Sequence, residues 1–135
     1  MSYSCDADLH SLINSTAGLC DSGMIFCKDG SMWCSPDHPY ALTLSADEVK
    51  RIGRELTNKD FSGDRVQVNG VVYLPEPGEW GDVLVVQHQG TDWVYMKSTN
   101  CAVVVAHSTS RDKCDQNKIA GAVNEIATSL KKLGL

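Results

Sequence analysis

Four histidines, at 10, 38, 88 and 107, and six cysteines, at 5, 20, 27, 34, 101 and 114, are the side chains with the most chemistry to offer. A histidine becomes a general base beside a carboxylate, or a zinc ligand when a second ligand sits roughly two to four residues away. This chain supplies neither arrangement at short range. Cys20, Cys27, Cys34 and His38 are spaced too widely for a paired zinc motif. Cys34 could be a thiol nucleophile, but nothing near it in sequence would activate it. No phosphate loop, dinucleotide fingerprint, His-Glu-x-x-His helix or Gly-x-Ser-x-Gly elbow is present. The reading is a non-enzyme without a metal or cofactor. Cys27 and Cys101 lie in apolar runs and are expected to be buried. His107 is expected to be structural and His88 exposed.

Charge and length narrow the classes further. A net charge of −5 opposes a general nucleic-acid or anionic-membrane binder, since both need a basic footprint. No apolar run approaches the roughly eighteen residues of a membrane span. The start, MSYSCDADLH, has no basic or apolar leader region, so the expected setting is the cytoplasm and the thiols are expected to be free. The 135 residues are expected to form one domain, 1–135. Such a chain can bury roughly two thirds of its unfolded surface.

The elements that must position any site follow from periodicity. Leu9, Leu12 and Ile13 have helical spacing within Asp6 to Ile13. Met24 to Cys27 is an apolar strand. Asp29-Gly30 is a hairpin turn, which predicts a hairpin over Met24 to Ser35. Ser45 and Glu48 form a capping box, with Leu44 and Val49 as a staple, and Val49, Ile52 and Leu56 as the buried stripe. Strands are predicted at Arg65 to Val68, Val71 to Leu74, Val83 to His88, Trp93 to Lys97 and Ala102 to His107. Asn69-Gly70 and Gln89-Gly90 are the turns between them. Ile119, Val123, Ile126, Leu130 and Leu133 mark one face of a last helix. Lys131 and Lys132 suit its negative end, and Gly134 is its stop. The sum is an α+β domain: an antiparallel sheet with helices on its faces.

With no reaction centre, the argument moves to surfaces. Tyr3, Trp33 and the tip of the last helix at Leu130 and Leu135 could build a shallow groove, because chain ends are often close. Such grooves hold pre-ordered proline-rich segments. Trp33 packing as ordinary core is the competing reading. Trp93 alternates with Val94, so one of the two faces away from the core side. Facing outward it would be an interface anchor; facing inward it would be core.

The order of these elements and several short stretches resemble the profilin family over nearly the whole chain. Met1-Ser2-Tyr3 is similar to the family's Met-Ser-Trp start. Asp29-Gly30-Ser31-Met32-Trp33 resembles its Asp-Gly-x-x-Trp hairpin, and Asn69-Gly70-Val71-Val72-Tyr73 its Gly-Gly-x-Lys-Tyr turn. Ala127 to Leu135 is similar to the terminal helix and its tail. The resemblance implies a central sheet of about six to seven strands, the N- and C-terminal helices on one face and a middle helix on the other. It implies a monomeric cytoplasmic, cytoskeleton-associated protein that binds monomeric actin, regulates its polymerisation and meets proline-rich proteins such as filament nucleators.

Carried over by residue, the resemblance places actin at Val72, Gln87, Gln89, Trp93, Lys97, Asn117 and Lys118. It places proline-rich peptides at Tyr3, Trp33, Ser129, Leu130 and Leu135. The chain departs from the pattern in both places. Asp6 stands where a second groove aromatic is usual, and Ser129 where His or Tyr is common. Each lost aromatic removes about 1 kcal/mol of stacking. Gln87-His88-Gln89-Gly90 replaces a basic run before the central glycine. The loss of those cations, with the net charge of −5, argues against the family's phosphoinositide ligand. Two other readings remain open: a profilin-fold scaffold, resembling longin or roadblock modules, that has lost actin; and a PAS-type sensor with a ligand on the concave sheet face.

Overall fold

The computed structural model describes residues 6–35, 37–58, 65–76 and 82–135. Its elements run α1 (Asp6–Ser15), β1 (Cys20–Cys27), α2 (Ala46–Asn58), β2 (Val66–Val68), β3 (Val71–Pro75), β4 (Leu84–His88), β5 (Asp92–Ser98), β6 (Ala102–Ser108) and α3 (Lys113–Lys132). The six strands form one antiparallel sheet in the order β1-β6-β5-β4-β3-β2. Strands two to six are a meander, and the first strand closes against the last.

Cross-strand partners in an antiparallel ladder share a face. Gly23 pairs with Ala106, Ala106 with Tyr95 and Tyr95 with Val85, which defines one face. That face carries α1, because a Cβ on Gly23 would lie 2.9 Å from Leu12 Cδ2 and 3.1 Å from Leu9 Cδ1. α1 and α3 pack against each other, and α3 covers β5 and β6. α2 packs on β5 and β2, where Ile52 and Val66 share the walls of one cleft. Val66 pairs with Tyr73, on the face opposite α1. The terminal helices therefore lie on one face and the middle helix on the other.

Local chemistry explains the boundaries. The capping box forms as read: Ser45 N donates to Glu48 Oε1 at 2.9 Å, and Glu48 N to Ser45 Oγ at 3.1 Å. Gly53 sits inside α2 because a side chain there would press on Lys28, 3.2 Å from its Cα. Asn69 and Gly70 both take left-handed φ, +52° and +75°, as a two-residue hairpin turn requires. α3 begins on Asp112, whose carboxylate accepts from Cys114 N and Asp115 N at 2.8 and 3.2 Å. It ends where Gly134 turns left-handed (φ +81°) and Leu135 N returns to Leu130 O at 2.9 Å.

Three expectations are corrected, and one long-range pairing is added. The hairpin over Met24 to Ser35 shortens to a turn and a single bridge, Phe26 to Met32, because Trp33 N and Cys34 N both turn onto Ile25 O. Leu133 is exposed, since the helix stops before its face returns to the sheet. Cys20 and Cys34 are the buried thiols, while Cys27 and Cys101 are half-exposed at a strand end. His107 has a carboxylate partner after all: its Nδ1 lies 2.6 Å from Asp21 Oδ1.

Two predictions follow from packing. A Cβ at Gly23 would sit 2.7 Å from the Val105 carbonyl oxygen as well as against α1. Gly23→Ala should lower stability by about 2–3 kcal/mol in urea unfolding. Gly121→Ala, with nothing within 4 Å, should raise it by roughly 0.5–1 kcal/mol. Burial pushes the Cys20 thiol up to about 12 from 9.0. Burial, then the charges of Asp92 and Asp21, pushes the Tyr73 hydroxyl up to about 12 from 10.0. Both neutral forms are favoured by folding, so their contribution is full below the unfolded pKa and is lost as pH rises through the folded one. Unfolding midpoints should hold to about pH 9 and fall from there toward pH 12. Tyr73→Phe should make that fall shallower.

Candidate functional site

Two surfaces gather the residues singled out by sequence. The first is a row across the face that carries α1 and α3. Leu74 pairs with Gln87, Gln87 with Trp93 and Trp93 with Ser108, at the end of the sheet where β6 leads into α3. Val72 lies two residues before Leu74 and shares its face. The terminal helices pack on β1, β5 and β6, and Val85 of β4 is buried as well, so the face opens at β3. Val72 is 41% exposed and Leu74 56%. Asn117 and Lys118 are exposed in the N-terminal half of α3, whose start lies beside this row. Gln89 is exposed in the β4–β5 turn.

Trp93 and Lys97 are placed differently. Trp93 points inward and is 8% exposed; its indole nitrogen has no partner among the described residues. The alternation with Val94 did not force one of the pair outward, because β5 is central and both its faces are covered. Lys97 is also buried, at 5%, and its Nζ reaches Asp82 Oδ2 at 3.2 Å. Gln87 donates to the Glu76 carboxylate, and His88 Nδ1 lies 3.0 Å from Val72 O. These contacts brace β3 against β4. Leu74 was missed from sequence, although its alternation with Val72 was the available signal.

The second surface lies at the other end of the sheet. Trp33 is half-buried against the core beside β1, with its N donating to Ile25 O at 3.0 Å. Asp6 Oδ1 accepts from Ser35 N at 2.8 Å, which brings the start of α1 alongside. Leu135 O accepts from Cys101 N and Thr99 Oγ1 at 2.7 and 2.8 Å, and Lys28 N donates to Cys101 O at 2.8 Å. The end of α3, the end of β1 and the Trp33 segment thus meet. Ser129 is exposed and Leu135 half-buried, while Leu130 is buried at 1% and supports the tip from below. Tyr3 lies outside the described residues.

A third grouping was invisible in sequence. The rings of His10, His38 and Tyr40 meet with centroids 5.7–6.5 Å apart. Among the described residues no three His, Cys, Asp or Glu side chains are arranged to hold a metal, and no helix is long and apolar enough to cross a membrane.

A family model described as Profilin matches residues 6–135. Comparison with curated proteins gives no match. Among solved structures, profilin IB of Acanthamoeba castellanii aligns with a TM-score of 0.76 at 17% identity, over 98% of this chain and 100% of that one. Profilin IA of the same organism gives 0.75 at 16%, with the same coverage. LokiProfilin1 in complex with rabbit actin gives 0.68 at 14%, over 95% and 94%.

The open face depends on the β2–β3 turn being held in place. Besides capping α2, the Glu48 carboxylate accepts from Asn69 N at 3.2 Å and Gly70 N at 3.0 Å. Glu48→Ala should cost about 2–4 kcal/mol by chemical denaturation. Amide exchange should speed up first at Asn69 and Gly70.

Proposed function

The chain belongs to the profilin family, and on that premise we propose that it binds monomeric actin and regulates its polymerisation as a non-enzymatic cytoplasmic protein. The observation that carries the reading is the exposed β3 edge of the sheet face, at Val72 and Leu74, set beside the exposed N-terminal half of α3. LokiProfilin1, which shares the fold, is described in complex with rabbit actin. Actin meets Val72, Leu74, Gln87, Gln89, Asn117 and Lys118. Trp93 lies beneath as the floor of this face, and Lys97 is buried and takes no part in the contact.

This face is poor in charge. Lys97 is the one lysine or arginine within β3, β4 and β5, and Asp82 neutralises it. Gln87 is tied to acidic Glu76. Apolar contact through Val72 and Leu74 therefore carries the affinity, and electrostatic steering is weak. The net charge of −5 also disfavours phosphoinositides.

A second ligand, a proline-rich segment, is assigned to Trp33, Ser129 and Leu135, with Leu130 beneath and Tyr3 as the expected further aromatic. Having lost two groove aromatics, this surface binds weakly when it acts alone.

Titration against fluorescently labelled monomeric actin tests the main reading. A micromolar dissociation constant that changes little with salt is expected. Leu74→Ala should weaken binding about tenfold, while Lys97→Met should leave it unchanged. No binding at tens of micromolar would reject actin as the partner.

A further inference from the structure

α1 lies beside Ser35 and the stretch from His38 to Tyr40. Asp6 and His10 are one turn apart on the same side of α1. Asp6 holds Ser35 N, and His10 lies 6.5 Å from His38 and 5.9 Å from Tyr40, ring centre to ring centre. His38 and Tyr40 are 5.7 Å apart, and His38 Nδ1 accepts from Tyr40 N at 3.1 Å, which fixes the pair. Gly23 N donates to Tyr40 O and Leu42 N to Gly23 O, so the segment is also bonded to the outer edge of β1. The rings are therefore a built feature of that edge.

The interplanar angles are 42°, 48° and 72°, so the rings meet tilted or edge to face and none is stacked flat on another. His10 is exposed, and His38 and Tyr40 are half-exposed. Trp33 and these rings lie along one strip of chain, with the Asp6–Ser35 contact between them. One helical turn separates Asp6 from His10, about 6 Å. A polyproline helix advances about 3.1 Å per residue, so two further residues of ligand span that gap.

We propose that His10, His38 and Tyr40 form an aromatic ledge that extends the proline-rich-peptide site along the outer side of α1. The inference rests on the groove at Trp33 assigned above. The occupant is a proline-rich segment because clustered, partly exposed rings that continue from the Trp33 segment past the Asp6–Ser35 contact suit flat pyrrolidine rings held in a pre-ordered helix. The ledge offers stacking area where Asp6 and Ser129 offer none. It also makes this chain select longer proline segments over short ones.

The test uses the full chain and two oligoproline peptides, of about six and about twelve residues. Binding is followed by calorimetry and by the imidazole resonances of His10 and His38. Wild type should bind the longer peptide more tightly, with both histidines shifting. His10→Ala should weaken the longer peptide about three- to tenfold and leave the shorter one unchanged. Its unfolding midpoint should equal that of wild type, because the side chain is exposed. Unchanged affinity for the longer peptide in His10→Ala would overturn the ledge, and sensitivity to Trp33→Ala would show that the groove still stands. An equal loss for both peptides would also overturn the extension. If wild type binds neither peptide, the groove itself fails and the ledge with it.

Discussion

The Glu48 carboxylate joins two parts of the chain that sequence keeps apart. It closes the capping box of α2 and accepts the two amides of the Asn69-Gly70 turn. Those amides belong to a turn with both residues left-handed, and their direction is fixed once the turn forms. Glu48 is buried at 8% exposure, and a buried carboxylate without donors is costly, so the carboxylate is tied to the turn amides and the turn to the helix. β2 has only three residues and sits at the sheet edge. So short a ladder could slip without such a tie, and a one-residue slip of β3 would swap Tyr73 for Val72 and Leu74 on the open face.

Burial changes what the charged and aromatic residues of the sheet can do. A lysine in a strand of a binding protein looks like a contact. Here the β5–β6 ladder, where Lys97 pairs with Val104, carries Lys97 into the interior, and its ammonium is satisfied by Asp82, whose side chain is largely exposed. Trp93 is drawn inward because β5 is covered on both faces. The surface that remains is built from β3, which neither terminal helix reaches. Its exposed residues are aliphatic, so affinity depends on shape and apolar area more than on long-range attraction.

Local signals were the legible part of this fold. The capping box, the Asn69-Gly70 turn, the Gly134 stop and the alternating strands are chemistry within a few residues, and each forms where it was read. Apart from the shortened hairpin after β1 and the early end of α3, the missed features depend on distance. Asp21 and His107 are 86 residues apart and meet because β1 pairs with β6 across a bulge. The burial of Cys20 over Cys27 depends on where along β1 the helices sit. The ring cluster needs α1 and the segment after Trp33 to run in step, which no periodicity reports. Of the candidate surfaces, the residues could be named from resemblance, but their exposure could not. Val72 and Gln89 are presented to solvent, whereas Trp93, Lys97 and Leu130 lie within.

The sheet also keeps the two surfaces apart. β6 starts beside Leu135, at the groove end, and finishes at Ser108, in the row that includes Trp93 and Leu74. Seven residues of strand span about 20 Å, and the twenty residues of α3 return over about 30 Å. That separation places the peptide site proposed at the Trp33 edge far enough from the actin site proposed on the β3 face that the two ligands would not touch. The groove end is bonded through backbone groups of Cys101, Lys28 and Leu135, and the open face through Glu48, Gln87 and Glu76. No side chain is shared between these two sets. Any coupling between the surfaces would have to pass through the packed core of β5 and β6 beneath α3.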